Sequence, residues 1–195
     1  MCGIVGVVNW GERDTLAHMN QVQAHRGPDD DGLWETRLPD GAFVGLGSRR
    51  LAILDLSAGG HMPMSTPDGR FTITYNGEIY NSPALRRELE ARGYTFRSHT
   101  DTEVILYLYQ ACGADSVRRL NGMFAFAIWD DGRKELFLAR DHFGIKPFYY
   151  CQQGPRLAFA SEIKALLELP DVPRRMNLQE WRRFSGQDLD SVFER

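Results

Sequence analysis

The stretch MCGIVGVVNW at residues 1–10 carries the main indication of the fold. It is apolar and rich in valine and isoleucine, which predicts a buried β-strand beginning at the chain terminus. An initiator methionine is normally removed before a small residue, which would leave a thiol and a free α-amine together on Cys2. Because the reference pKa values are ~7.7–8.0 for an α-amine and ~8.5 for a thiol, the amine can take the thiol proton near neutral pH. Cys2 is therefore a candidate nucleophile, and the alternative is a core cysteine heading a strand.

The segment that follows alternates between helical and extended patterns. After a turn at Gly11, residues 15–24 can form a helix, which the glycine and proline of residues 25–29 end, and a loop is expected next. Apolar runs at residues 42–56 and 71–75 predict two strands, joined by a link rich in glycine, proline and serine.

Two helices are predicted in the middle of the chain. Ser82 supplies a hydroxyl cap with Pro83 at the first helical position, and Gly93 ends this helix. Thr100 and Glu103 have capping-box spacing, which predicts a second helix running to about residue 111. Asp101 would then lie in the first turn of that helix.

The remaining pattern predicts four further strands and a short helix. Residues 123–129 and 135–139 flank an Asp-Asp-Gly-Arg hairpin signal at 130–133, residues 148–151 and 157–160 are extended, and a helix begins at Glu162. Strands, two central helices and strands again are typical of an α+β protein with antiparallel sheets covered by helices, rather than of a repeating βαβ pattern.

Composition excludes several classes of protein. The 195 residues, 43% hydrophobic and 25% charged, suffice for one domain. A net charge of -3 without a basic, aromatic-rich run argues against nucleic acid. No apolar stretch approaches the ~20 residues that span a bilayer, and no signal peptide is evident, so we expect a cytoplasmic protein without a membrane partner.

The three cysteines, Cys2, Cys112 and Cys151, have neither CxxC spacing nor a histidine pattern, which argues against disulfides and a metal site. Cys112 and Cys151 are expected to be core thiols.

Several motifs, taken in order, resemble one known family. They are Met1-Cys2-Gly3-Ile4-Val5-Gly6, His25-Arg26-Gly27-Pro28-Asp29, Arg50-Leu51-Ala52-Ile53, Tyr75-Asn76-Gly77-Glu78-Ile79-Tyr80-Asn81 and Arg140-Asp141-His142-Phe143-Gly144-Ile145-Lys146-Pro147. The chain resembles the glutaminase domain of asparagine synthetase, a class II glutamine amidotransferase. This resemblance implies the N-terminal-nucleophile hydrolase fold, a four-layer αββα sandwich with two antiparallel sheets between helices. We expect that domain at residues 1–170, followed at 171–195 by a divergent tail that is a partner-docking segment or a truncated linker.

The resemblance also implies catalytic roles. Cys2 would attack the side-chain amide of glutamine, while the Asn76 amide and the Gly77 backbone N–H would stabilise the oxyanion. From the residues alone, Asn-Gly between apolar segments favours a hairpin turn over a catalytic role. His25 is assigned to the architecture near Cys2, without a role in proton transfer.

Substrate-binding roles are implied in the same way. Arg50 would bind the α-carboxylate of glutamine, since a guanidinium fork matches two oxygens, although a strand arginine more often pairs across its sheet. Asp101 would bind the α-ammonium group, supported by Glu78, and Asp101 could equally complement the positive end of its helix.

The expected activity is hydrolysis of glutamine to glutamate and ammonia through a γ-glutamyl thioester on Cys2. L-glutamine and a synthetase chain or domain that receives the ammonia are the expected partners. No cofactor is predicted, because the chain has neither the Ser-Gly-Gly-x-Asp-Ser signature of ATP-pyrophosphatase domains nor a Walker motif. The alternatives are a catalytically silent glutamine-binding or regulatory module and a fragment of a full-length asparagine synthetase.

Overall fold

Two antiparallel sheets form the centre of the protein. The computed structural model describes residues 1–52, 57–175 and 178–179. Within them the strands are β1 (Gly3–Val8), β2 (Asp30–Arg37), β3 (Phe43–Arg50), β4 (Met64–Ser65), β5 (Phe71–Ile79), β6 (Gly122–Asp130), β7 (Glu135–Arg140), β8 (Tyr149–Gln153) and β9 (Arg156–Ala160). One sheet has the order β2-β3-β1-β9-β8 and the other β4-β5-β6-β7. The first strand of the chain is thus the middle strand of its sheet.

Helices cover the outer face of each sheet. They are α1 (Arg13–Gln21), α2 (Ser82–Ala91), α3 (Asp101–Cys112) and α4 (Ile163–Leu166), with 3-10 helices at Ala24–Arg26, Ala58–Gly60 and Gly113–Arg119. Helices α1 and α4 contact the five-stranded sheet, whereas α3 contacts the four-stranded sheet and α2 packs on α3. The expected four-layer αββα sandwich is confirmed. No helix in the described ranges is long and apolar enough to cross a bilayer.

Alternating side chains place β1 between two apolar layers. Ile4 packs between the sheets with Leu46, Trp129 and Phe159, whereas Val5 and Val7 face the α1 side. This two-residue period is that of a strand buried on both faces. Strand β1 pairs with β3 from Gly3 and with β9 from Val5, so Cys2 directly precedes a strand that lies in the interior of the sheet.

Two strands were missed: β2, where a loop was predicted after residue 29, and the two-residue β4, which lies in the stretch predicted as a link. Strand β2 pairs with β3 along its whole length, from Asp30 opposite Arg50 to Arg37 opposite Phe43. It lies at the edge of the sheet, where charged side chains are favoured because they discourage pairing with other chains. Because β2 contains few apolar residues, its sequence does not show the apolar pattern by which the other strands were predicted.

Strand boundaries also differ from expectation. The strand predicted at residues 42–56 ends at Arg50, and residues 53–56 lie outside the described ranges. The strand predicted at 71–75 continues to Ile79, so Asn76 and Gly77 pair with Ala125 and Phe124 of β6. The hairpin alternative for Asn-Gly is therefore wrong, because pairing with β6 overrides the local turn propensity.

Helix boundaries were predicted well, apart from the N-cap of α2. Helix α1 begins two residues early and stops at Gln21. Asn81, not Ser82, is the N-cap of α2, and its amide binds Arg119 O and Asn121 N instead of capping. Gly93 follows α2 with φ 90°, as a helix-ending glycine should.

The capping box of α3 is only half formed. Thr100 Oγ1 accepts from the Glu103 N–H at 3.4 Å, as predicted. The Glu103 carboxylate, however, accepts from the N–H groups of Arg97 and Ser98 rather than from that of Thr100. Glu103 therefore fixes the loop before α3. Asp101 is the first residue of that helix.

Candidate active site

One cavity gathers the candidate residues, which lie at the start of β1, the end of β3, the end of β5 and the first turn of α3. It is lined by Cys2, Arg50, Asn76, Gly77, Glu78 and Asp101, together with Met1, Tyr75, Met123, Lys146 and others. Its volume is about 170 Å³. Because a cavity of ~150 Å³ accepts benzene, the space suits one small molecule rather than a nucleotide.

The Cys2 thiol lies against the backbone of Leu51. The Leu51 N–H points at Sγ from 3.5 Å, and Sγ lies 3.8 Å from the Leu51 carbonyl oxygen. The Cys2 carbonyl oxygen accepts from Arg26 Nε at 3.0 Å. Met1 is 59% exposed and lines the same cavity. Removal of Met1 would therefore open the cavity and place the new α-amine at its wall.

Asn76 presents a buried amide to this cavity. The residue is 2% exposed, and its Nδ2 has no hydrogen-bond partner in the described part of the chain. Since an unpaired buried donor costs about 1–3 kcal/mol, the amide needs an acceptor from a ligand or a water molecule in the cavity.

Gly77 is confined by the neighbouring strand. A Cβ at this position would lie 2.4 Å from the Met123 carbonyl oxygen and 2.8 Å from Phe124 Cα. No side chain fits there without moving β6, so the backbone beside Asn76 stays open to the cavity.

Arg50 is a buried cation whose position depends on a glycine. It is 8% exposed, and its Nη1 donates to the Ser57 carbonyl oxygen at 3.3 Å. A Cβ on Gly60 would lie only 1.9 Å from Arg50 Nη2. The guanidinium thus lies against the Gly60 backbone. Asp30, which is opposite Arg50 in the sheet register, binds His61 at 2.9 Å.

Asp101 is a buried anion held by β5. Its Oδ2 accepts from the Tyr75 hydroxyl at 2.7 Å and from the Ile79 N–H at 2.9 Å. Burial raises the pKa of the Asp101 carboxyl, and these hydrogen bonds partly oppose the rise. Burial and the Asp101 charge raise the pKa of Tyr75 well above its ordinary value, so Tyr75 acts as a donor. Asp101 also occupies the first turn of α3, so it can complement the helix and contact a ligand.

Two further charged residues line the cavity. Glu78 is exposed at its rim and forms no ion pair within the described ranges. Lys146 is 7% exposed, and its backbone is fixed by the Asp141 carboxylate at 3.1 Å and by Arg140 Nε at 2.7 Å. Lys146 lies within the motif at residues 140–147 but had no predicted role, because no local pattern shows which side of the loop it faces.

The other sequence candidates lie away from the cavity. His25 Nε2 binds Glu162 Oε1 at 2.9 Å beside the start of β1, which agrees with an architectural role. Cys112 packs against the apolar cluster of the four-stranded sheet and Cys151 against that of the α1 side, as expected for core thiols. Neither lines the cavity around Cys2.

Comparison with known structures addresses the fold. Glutamine phosphoribosylpyrophosphate amidotransferase from B. subtilis superposes with a TM-score of 0.69 at 21% identity, covering 84% of this chain and 42% of that chain. A structure described as the allosteric regulatory enzyme of purine biosynthesis gives a TM-score of 0.65 at 21% identity, covering 85% of this chain and 43% of that chain. Two stacked antiparallel sheets, with a terminal strand opening into a cavity, define the N-terminal-nucleophile hydrolase fold.

Sequence comparison then assigns the family. The family described as "Glutamine amidotransferase domain" matches residues 1–191. "Asparagine synthetase [glutamine-hydrolyzing] 3" of Bacillus subtilis is 45% identical over 184 residues, covering 91% of this chain and 29% of the relative. "Putative asparagine synthetase [glutamine-hydrolyzing] 2" of Methanocaldococcus jannaschii is 38% identical, covering 92% and 38%. The chain belongs to the class II glutamine amidotransferases, and it spans about a quarter to two fifths of the length of these curated relatives.

Proposed function

We propose that this chain hydrolyses the side-chain amide of L-glutamine, with Cys2 as nucleophile and the α-amine freed by removal of Met1 as base. The observation that carries the proposal is the meeting, in one cavity, of a thiol at position two with a buried amide donor that lacks a partner among the described residues. Nucleophile, oxyanion donors and charged groups for an amino acid are then all within one small space.

The reaction proceeds in two halves. The amine takes the thiol proton as Sγ attacks the amide carbon, and the oxyanion accepts from Asn76 Nδ2 and the Gly77 N–H. The protonated amine returns its proton to the leaving nitrogen, the C–N bond breaks, and ammonia departs from a γ-glutamyl thioester. Water then attacks the thioester, which releases glutamate and restores the thiol.

The charged groups of the cavity recognise the amino-acid end of glutamine. The Arg50 guanidinium binds the α-carboxylate, where a planar fork matches two oxygens. Asp101 binds the α-ammonium group, with Glu78 at the rim adding a second negative charge. These contacts exist in both ground and transition states, so they act mainly on substrate binding.

The ammonia is passed to a synthetase domain or chain. Two relatives carry the name asparagine synthetase and are glutamine-hydrolysing by name, and this chain matches only part of each. Ammonia released into bulk water becomes protonated and loses its nucleophilicity, which favours direct transfer. The docking role expected for residues 171–195 stays a prediction, since residues 176–177 and 180–195 lie outside the described ranges.

N-terminal processing provides the first test. Protein shown by intact mass to begin at Cys2 should release glutamate and ammonia from glutamine, whereas protein retaining Met1 should not, because its thiol lacks a neighbouring base. Full turnover by homogeneous protein that retains Met1 would contradict the mechanism. Calorimetric binding of glutamine without turnover by the processed form would instead identify a silent glutamine-binding module.

Arg50→Ala should raise the KM for glutamine about 10- to 100-fold with little change in kcat, the loss expected for a hydrogen-bonded charged contact. Gly60→Ala should act in the same direction, because the new Cβ displaces the guanidinium. Steady-state kinetics measure both effects.

The matched control for Arg50 is its neighbour in β3. Arg49→Ala removes an arginine that binds the Asn20 carbonyl oxygen at 3.1 Å and approaches Asp31, away from the cavity. An equal rise in KM for Arg49→Ala and Arg50→Ala would show that Arg50 does not bind substrate.

A further inference from the structure

Glu162 lies at the centre of a charged cluster between β9 and α4. Its Oε1 accepts from Arg26 Nη1 at 3.0 Å and from His25 Nε2 at 2.9 Å, and its Oε2 lies 3.1 Å from Lys164 Nζ. The Glu162 side chain is 22% exposed and that of Arg26 only 9%. Three cationic or potentially cationic groups therefore converge on one carboxylate at the base of the first strand.

Arg26 connects this cluster to the nucleophile. Its Nη1 binds Glu162, while its Nε donates to the carbonyl oxygen of Cys2 at 3.0 Å. A Cβ on Gly3 would lie 3.4 Å from Arg26 Cδ, an ordinary contact distance, so the arginine side chain passes close to the start of β1. A lysine has one terminal nitrogen and could not make both contacts in this geometry.

Ser161, the residue before Glu162, also binds the start of β1. The Ser161 Oγ accepts from the Ile4 N–H at 3.0 Å, and the Ser161 N–H donates to the Ile4 carbonyl oxygen at 2.9 Å. Ser161 thus fixes the peptide two residues beyond Cys2, while Glu162 acts through Arg26 on Cys2 itself. Together they restrict rotation of the first residues of β1.

The charge of Glu162 is permanent under ordinary conditions. Burial raises the pKa of this carboxyl, but hydrogen bonds from Arg26, Lys164 and His25 outweigh burial and lower the pKa to about 2. The carboxylate therefore holds Arg26 across the pH range in which an enzyme of this kind is assayed.

We propose that Glu162 is a positioning residue for the nucleophile, which acts through Arg26 to fix the carbonyl of Cys2 and thereby the relative orientation of its thiol and α-amine. The inference rests on the proposed function, in which both groups of Cys2 react. Geometry matters here because a displacement of about 1 Å at a reacting group can cost about 10²-fold in rate. Substrate contacts at Arg50 and Asp101 do not depend on this chain of hydrogen bonds.

The alternative is a purely structural role, in which Glu162 only ties the 3-10 helix at Ala24–Arg26 to the segment before α4. A matched control exists for that role. Glu168, just beyond α4, binds His18 of α1 at 3.0 Å, and its side chain is 32% exposed. Glu168 thus ties a helix of the same sheet layer by one contact, and that contact does not lead to Cys2.

The test compares Glu162→Ala with Glu168→Ala in the chain beginning at Cys2. For Glu162→Ala we expect kcat to fall about 10- to 100-fold with KM for glutamine within about twofold of wild type, and for Glu168→Ala no comparable loss. If Glu162→Ala does not fold, Glu162→Gln decides, because its amide oxygen can still accept from Arg26 and should give an intermediate kcat. Equal kcat values for the Glu162 and Glu168 variants overturn the proposal.

A second measurement separates this inference from the proposed function. The rate at which iodoacetamide alkylates Cys2, followed by the mass of the N-terminal peptide, should fall in Glu162→Ala but not in Glu168→Ala, because a misplaced amine removes the thiol proton less often. Wild-type protein that alkylates normally but does not hydrolyse glutamine would refute the proposed function alone. Unchanged alkylation in Glu162→Ala would refute the positioning role.

Discussion

Cys2→Ala should abolish glutamine hydrolysis, with a loss on the order of 10⁶-fold, as expected when a covalent nucleophile is removed. The fold should persist, because the thiol makes only long contacts of 3.5 and 3.8 Å with Leu51. Glutamate release, measured on variant protein with a verified N-terminus at residue 2 and an unchanged circular dichroism spectrum, checks this result.

The other two cysteines are the controls for that loss. Cys112→Ser and Cys151→Ser place a hydroxyl in half-buried core positions outside the cavity, so they should lower Tm while retaining turnover. Activity that survives in Cys2→Ala and disappears in either serine variant would assign the nucleophile elsewhere.

Asn76→Ala should lower kcat by about 10²- to 10³-fold, the usual effect of losing one oxyanion donor, with a small change in KM. The Asn76 Nδ2 has no partner among the described residues, so its removal breaks no hydrogen bond of that nitrogen in the resting protein. Tm should therefore change by no more than a few degrees. Steady-state kinetics and a thermal melt on the same sample separate the two effects.

Thr74→Val tests whether any loss reflects damage to β5. The Thr74 hydroxyl donates to the Gly47 carbonyl oxygen at 2.9 Å, and the residue lies in the same strand without lining the cavity. This variant should lower Tm and keep kcat. If Asn76→Ala keeps its kcat while remaining folded, Asn76 is not an oxyanion donor.

Strong local signals predicted most of the fold. The hairpin between β6 and β7, the helix ending at Gly93 and the Thr100 cap each depend on residues close in sequence. Strand β2 escaped prediction because an edge strand needs few apolar residues. The Asn76-Gly77 segment was ambiguous because its conformation is decided by pairing with β6, whose partner residues are 47 or more positions away.

The site was predictable only in part, for the same physical reason. Arg50, Asn76 and Asp101 were proposed as site residues through the family resemblance, and no spacing rule predicts that they line one cavity. Lys146 and Glu162 were not singled out, since their neighbours are distant in the chain: Glu162 binds Arg26 across 136 positions. Contacts of this kind are set by sheet register and layer packing, which the sequence pattern specifies only indirectly.

The central position of β1 has a consequence for synthesis of the chain. Cys2 is synthesised long before β9, yet β1, which follows Cys2 directly, pairs with β9, where Val5 is opposite Ala160, and the Ile4 N–H donates to Ser161 Oγ. Such distant pairings form late because a long loop must close before they contribute. A nascent chain therefore holds its thiol in an unfinished sheet until nearly all of the described domain has emerged. Hydrolysis of glutamine would begin only when the domain is complete.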